Sequence, residues 1–94
     1  ETIAVFGMLR DKDIAGVVRA VASRITRWHL ATLPGPRGAD ADQLMQVILR
    51  ENIQTPAFRH ESVAAALAAA RSEAGEGDKI IVFGSFLTVA GAYG

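Results

Sequence analysis

Two short apolar runs, each closed by a glycine, restrict the folds open to this 94-residue chain more than any other feature. Ile3-Ala4-Val5-Phe6 ends at Gly7, and Ile80-Ile81-Val82-Phe83 ends at Gly84. A strand with one solvated face alternates polar and apolar residues, whereas these runs are continuous. Each fits a strand buried on both faces, the pattern of parallel sheets covered by helices on either side. The two are read as equivalent buried strands rather than as an internal duplication.

Between them, helical periodicity alternates with β-forming stretches. Asp13 is placed to cap a helix in which Ile14, Val17, Val18 and Val21 follow i, i+3, i+4, i+7 spacing. Residues 24–33 carry Ile25, Thr26, Trp28, Leu30 and Thr32 and alternate polar with apolar, which predicts a second strand with one face less buried. Pro34-Gly35-Pro36-Arg37-Gly38 is a loop. Asp40 and Gln43 form a D-x-x-Q capping box, and Leu44, Val47 and Ile48 turn one helix face inward as far as Glu51. A small third strand is expected at residues 56–59. From Ser62 to Glu73 runs an alanine-rich helix with Val63, Ala66, Leu67 and Ala70 on one face, ended by Gly75 and Gly77. Ser85 opens a final helix of about two turns. Seventeen alanines let helices sit close on a sheet, and the alternation of elements predicts a layered α/β domain with a mainly parallel sheet.

Composition excludes several classes of function. Half the residues are hydrophobic, so the chain has the means to build a core and is not of the disordered type. Ten basic residues balance ten acidic ones, which leaves no basic excess to bind nucleic acid. No apolar run approaches the ~20 residues that span a bilayer, so no membrane partner is expected. The absence of cysteine removes thiol nucleophiles and cysteine-ligated zinc, and is compatible with a reducing cytoplasm. Neither a phosphate-binding G-x-x-x-x-G-K-[ST] loop nor a G-x-G-x-x-G fingerprint occurs.

In open α/β sheets, ligands collect beyond the carboxyl ends of the strands. The segments that follow those ends are residues 8–13, 35–38, 60–62 and 84–88. Lys12, at a helix start, could bind a carboxylate with backbone N–H groups nearby, or simply point into water from a turn capped by Asp13. Ser85 presents a hydroxyl at a helix N-terminus, suited to an anion or to plain capping. Arg37, in a stiff Pro/Gly loop, could face a carboxylate or phosphate, or pair with Asp40 or Asp42. His29 lies mid-strand and reads as structural, and His60 alone does not make a metal site. Gly84-Ser85-Phe86 lacks the second glycine of a nucleophile elbow, so a nucleophilic serine is not expected.

Three segments are similar to a known family: residues 5–13 (Val-Phe-Gly-Met-Leu-Arg-Asp-Lys-Asp), 33–37 (Leu-Pro-Gly-Pro-Arg) and 78–90 (Asp-Lys-Ile-Ile-Val-Phe-Gly-Ser-Phe-Leu-Thr-Val-Ala). In order and spacing they resemble the C-terminal domain of folylpolyglutamate synthase/dihydrofolate synthase, a branch of the Mur ligase superfamily. The resemblance covers nearly the whole chain. It implies a three-layer Rossmann-like α/β fold, a mostly parallel sheet with helices on both faces. It also implies an ATP-dependent amide ligase that adds L-glutamate to folates, and in some members makes dihydrofolate from dihydropteroate, through an acyl phosphate.

In that family ATP and magnesium are handled mainly by a central ATPase domain, over which the C-terminal domain closes; none is expected on residues 1–94 alone. The family's Asp-Gly-Ala-His-Asn nucleotide-contact motif follows the domain's first strand and does not occur here. The expectation is therefore a single truncated domain, lacking its first strand and the end of its last helix, inactive alone and able to dimerise through a free sheet edge. Carried over by motif, Lys12 contacts the carboxylate of the incoming glutamate and Ser85 donates to it. Asp11, Phe86 and Thr88 shape the pocket, and Arg37 is a further substrate-binding candidate. No residue here is expected to be catalytic in itself. The alternatives are a non-catalytic α/β binding module or a Mur-type ligase for another amino acid.

Overall fold

A computed structural model describes residues 1–93, with the side chains of Phe86, Leu87, Ala90 and Tyr93 outside the described set. Among the described residues four strands and four α-helices alternate: β1 (Thr2–Phe6), α1 (Ile14–Val21), β2 (Arg27–Ala31), α2 (Ala41–Arg50), β3 (Ala57–His60), α3 (Val63–Glu73), β4 (Lys79–Phe83) and α4 (Phe86–Tyr93). The strands form one wholly parallel sheet in the order β3-β2-β1-β4. From β1 the chain steps outward to β2 and then β3. It next crosses back over the sheet through α3 to place β4 on the other side of β1.

Caps written into the sequence set the helix starts. The Asp13 carboxylate accepts from the Gly16 N–H at 3.0 Å. At Asp40 both halves of the capping box are present: the carboxylate accepts from Gln43 N–H at 2.8 Å, and the Gln43 amide oxygen accepts from Asp40 N–H at 2.9 Å. Ser62 Oγ accepts from Ala65 N–H at 3.0 Å and opens α3. Each satisfies a backbone donor that the helix itself leaves unpaired, a contribution of about 1 kcal/mol.

Strand alternation divides the core into two layers. Ala4, Phe6, Trp28 and Leu30 face α1 and α2 together with Val18, Leu44 and Ile48. Ile3, Val5 and Ala31 face α3 and α4 with Val63, Ala66, Leu67, Ala70 and Ala92. The four positions expected on the inner face of α3 are all buried. In the first layer Phe6 meets Trp28 edge-on at 5.7 Å and Phe83 at 4.9 Å. The Trp28 Nε1–H donates to Thr55 Oγ1 at 3.2 Å, so its polar atom is satisfied where the ring is buried.

Two expectations are corrected. The sequence alternation predicts one less buried face for β2, yet four of its five residues are buried. This strand lies inside the sheet with helices on both sides, and its polar His29 finds partners there. The two glycine-closed runs were expected to be equivalently buried, but β1 is central and β4 is an edge, with Ile81 38% exposed. Among the described residues no helix is long and apolar enough to cross a membrane.

His29 is 1% exposed and anchors a polar chain across the α3 face of the sheet. Its Nδ1 lies 2.8 Å from His60 Nε2 on β3, and its Nε2 lies 3.2 Å from Glu73 Oε2 at the end of α3. Arg27 donates to the same carboxylate oxygen at 2.8 Å, and Phe58 stacks on the His29 ring. The bond from Arg27 holds the Glu73 carboxyl below its ordinary value, assisted by His29 and opposed by desolvation. Burial pushes the His60 imidazole down, and the neighbouring His29 adds to the effect while Glu73 opposes it.

Both folded values lie below their unfolded counterparts, so both groups stabilise the fold above the unfolded value and lose that contribution as pH falls through the folded one. Urea unfolding as a function of pH should therefore show stability declining from neutrality in two limbs, the first below 6.5 from His60 and the second below 4.5 from Glu73, joined by Asp11 and Asp78, whose carboxyls are held low by Arg37 and by the Gly75 N–H. His60→Gln should flatten the first limb and leave the second. An unchanged first limb in that variant would remove His60 as its source.

Candidate functional site at the carboxyl edge of the sheet

The strand order creates one topological switch point. After β1 the chain turns to the face carrying α1 and α2, and after β4, its hydrogen-bonded neighbour, it turns to the face carrying α3 and α4. Two connections leaving adjacent strands toward opposite faces open a crevice between them, where parallel α/β sheets place their ligands. The rims of this crevice are residues 7–13 on one side and residues 84–88 on the other.

The first rim is held by a neighbouring loop. Met8 is buried, and its carbonyl accepts from Ala39 N–H at 2.9 Å. Leu9 pairs with Gly38 in an antiparallel bridge, and Arg10 N–H donates to the Arg37 carbonyl at 2.8 Å. The Arg37 guanidinium closes the zipper by donating to Asp11 Oδ2 at 2.8 Å. That bond is the main reason why the Asp11 carboxyl lies below its ordinary value. Arg37 thus has a partner, but it is Asp11 rather than Asp40 or Asp42. Asp40 caps α2, and Asp42 binds Arg59 at 2.7 Å.

With Asp11 and Arg37 neutralising each other, Lys12 stands at the rim with no ion pair among the described residues. It is exposed, its N–H donates to the Leu9 carbonyl at 3.2 Å, and its own carbonyl accepts from Ile14 N–H at 2.9 Å. The stem of the lysine therefore rises from a backbone fixed on both sides.

The second rim touches the first. Gly7 N–H donates to the Phe83 carbonyl at 3.3 Å, and a Cβ added at Gly84 would lie 2.0 Å from the Gly7 carbonyl oxygen. Ser85 caps α4, its Oγ accepting from Thr88 N–H at 3.2 Å. Thr88 is completely buried, and its hydroxyl donates to the Gly7 carbonyl at 2.7 Å across 81 positions of sequence. Nothing in the spacing signals that bond. Asp11 and Arg37 are joined on the first rim, which also carries Lys12; Ser85 and the buried Thr88 are joined on the second, and the Phe86 side chain lies outside the described residues. Among the described residues no cluster of three His, Asp or Glu side chains could hold a metal ion. The sequence carries no glycine-rich phosphate loop either.

Residues 1–86 match the family described as Mur ligase, glutamate ligase domain. The chain belongs to that family. A relative in Escherichia coli, a dihydrofolate synthase/folylpolyglutamate synthase, is 43% identical over 94% of this chain and 19% of its own length. The enzyme of that name in Haemophilus influenzae is 40% identical over 94% of this chain and 20% of its own length. The glutamate ligase domain seen here thus spans about a fifth of the length of these relatives.

Among solved structures, the bifunctional enzyme of Yersinia pestis superposes with a TM-score of 0.86 at 41% identity, over 96% of this chain and 21% of that one. The E. coli enzyme in complex with ADP superposes at 0.82 with 44% identity, over 95% and 20%. A structure of a bifunctional folylpolyglutamate synthase/dihydrofolate synthase with Mn, AMPPNP and L-glutamate bound also superposes at 0.82, with 41% identity over 96% and 21%. The four-stranded parallel sheet with helices on both faces is thus the expected Mur ligase C-terminal fold.

Proposed function

We propose that this domain works within an ATP-dependent ligase that joins L-glutamate to a folate, and that its part is to hold the incoming amino acid at the crevice between β1 and β4. The supporting observation is the switch-point geometry. It brings a fixed lysine without an ion-pair partner among the described residues and a serine at a helix start to one sheet edge. A lysine ammonium and a helix N-terminus are both suited to a carboxylate.

In such a ligase the folate carboxylate is activated as an acyl phosphate, the glutamate amine attacks its carbonyl, and phosphate leaves. Activation belongs to the rest of the enzyme, because this chain carries no phosphate loop. What these residues contribute is position: Lys12 fixes a glutamate carboxylate, Ser85 donates to it, and the Asp11–Arg37 pair keeps the lysine-bearing loop in place. Holding the amine against an activated carbonyl turns a bimolecular encounter into a local one.

The test is turnover by the ligase that contains this domain, following ADP release in the presence of a folate and each of several amino acids. Release that requires L-glutamate is expected. Equal turnover with unrelated amino acids, or none with glutamate, would contradict the assignment.

A further inference from the structure

The hydroxyl protons at the second rim can be assigned by counting. Thr88 has one hydroxyl proton, and its oxygen lies 2.7 Å from the Gly7 carbonyl, a group that can only accept. The same oxygen lies 3.1 Å from Ser85 Oγ. With the Thr88 proton committed to Gly7, the proton in that second contact must come from Ser85. Ser85 Oγ in turn accepts from Thr88 N–H at 3.2 Å. The chain therefore runs from the Ser85 hydroxyl through the Thr88 hydroxyl to the Gly7 carbonyl. It joins the turn after β4 to the loop after β1 that carries Lys12.

We propose that Thr88 is a positioning residue for glutamate binding, resting on the assignment of Lys12 and Ser85 above. It fixes the spacing of the two rims through Gly7, so that Ser85 and the loop bearing Lys12 keep one relative position. A glutamate carboxylate arriving at Ser85 accepts a hydrogen bond from its hydroxyl, which rotates away from Thr88, while the Thr88–Gly7 bond keeps the rims in register. Complete burial keeps water from competing for the bond. Gly7 has the geometry this needs, since a Cβ there would lie 2.8 Å from Thr88 Oγ1 and 3.0 Å from Leu33 Cδ2.

The experiment is steady-state kinetics of the ligase containing this domain with Thr88→Val and Thr88→Ser. Valine keeps the shape and loses both hydroxyl contacts, so the glutamate KM should rise roughly three- to tenfold, with the KM for ATP unchanged and kcat within about twofold. Serine keeps the hydroxyl and should restore the glutamate KM to within about twofold of wild type. A purely structural role would reduce the amount of active enzyme and leave the glutamate KM alone, which would overturn the proposal.

Lys12→Ala in the same series separates the role of Thr88 from that of the site. A raised KM there with a normal one in Thr88→Val rejects the role of Thr88 and retains the site. If Thr88→Val does not fold, Thr88→Cys in the same ligase decides, since it keeps the volume and weakens the bond to Gly7: a raised glutamate KM with an unchanged KM for ATP supports the proposal, and an unchanged glutamate KM rejects it.

Discussion

Replacing Lys12 with alanine in the ligase that carries this domain should raise the glutamate KM by about 10- to 100-fold, with little change in the KM for ATP. An ammonium–carboxylate hydrogen bond contributes about 1.5–3 kcal/mol, and its loss is felt wherever glutamate is bound, in the ground state and in the transition state alike. Folding should be unaffected, because the Lys12 side chain is exposed and what secures this loop is backbone bonding, the buried Met8 and the Asp11–Arg37 pair. Lys12→Arg keeps the charge but not the compact shape, so it should recover part of the loss. Ser85→Ala should show a smaller rise, since one neutral donor is removed and a helix cap is lost with it. Glutamate kinetics unchanged in both alanine variants would remove the site assignment altogether.

Gly84→Ala should be the most damaging small substitution in the fold. Its φ of +121° lies where a side chain is strained, at about 1–3 kcal/mol. The added Cβ would also fall 2.0 Å from the Gly7 carbonyl oxygen, a backbone atom held by Thr88 and unable to retreat without parting the ends of β1 and β4. A domain of this size has a total stability of about 5–10 kcal/mol. The variant should therefore lose more than about 3 kcal/mol in urea unfolding, or fail to fold. Gly77→Ala is the control. Its φ of +90° brings the same kind of strain, but nothing lies within 4 Å of the new methyl group. It should cost about 1 kcal/mol. Equal losses in the two would show that strain alone matters and that the close contact between strand ends does not.

The local chemistry of the fold was readable from the chain. A capping box is a contact over three residues, so Asp40 and Gln43 announce the start of α2, and both of its bonds are present. The i, i+3, i+4, i+7 positions of α3 name its buried face for the same reason. Contacts set by strand order were not readable. His29 looks half-solvated when only its strand is considered, because the partners that allow its burial are 31 and 44 positions away. The bond from Thr88 to Gly7 spans 81 positions and depends on β4 settling beside β1 rather than beside β3. Arg37 falls between these cases: its loop was evident, but the antiparallel bridge from Leu9 to Gly38 is what hands it to Asp11. Candidate site residues were thus nameable one at a time, while the crevice that assembles them is a property of topology.

Glutamate binding here turns on where one carboxylate sits. A crystal structure of the ligase containing this domain, soaked with L-glutamate, tests it most directly. The account predicts a glutamate carboxylate in the crevice between β1 and β4, within hydrogen-bond distance of Lys12 Nζ and Ser85 Oγ. Glutamate bound elsewhere, with both of those atoms left to solvent, would contradict it.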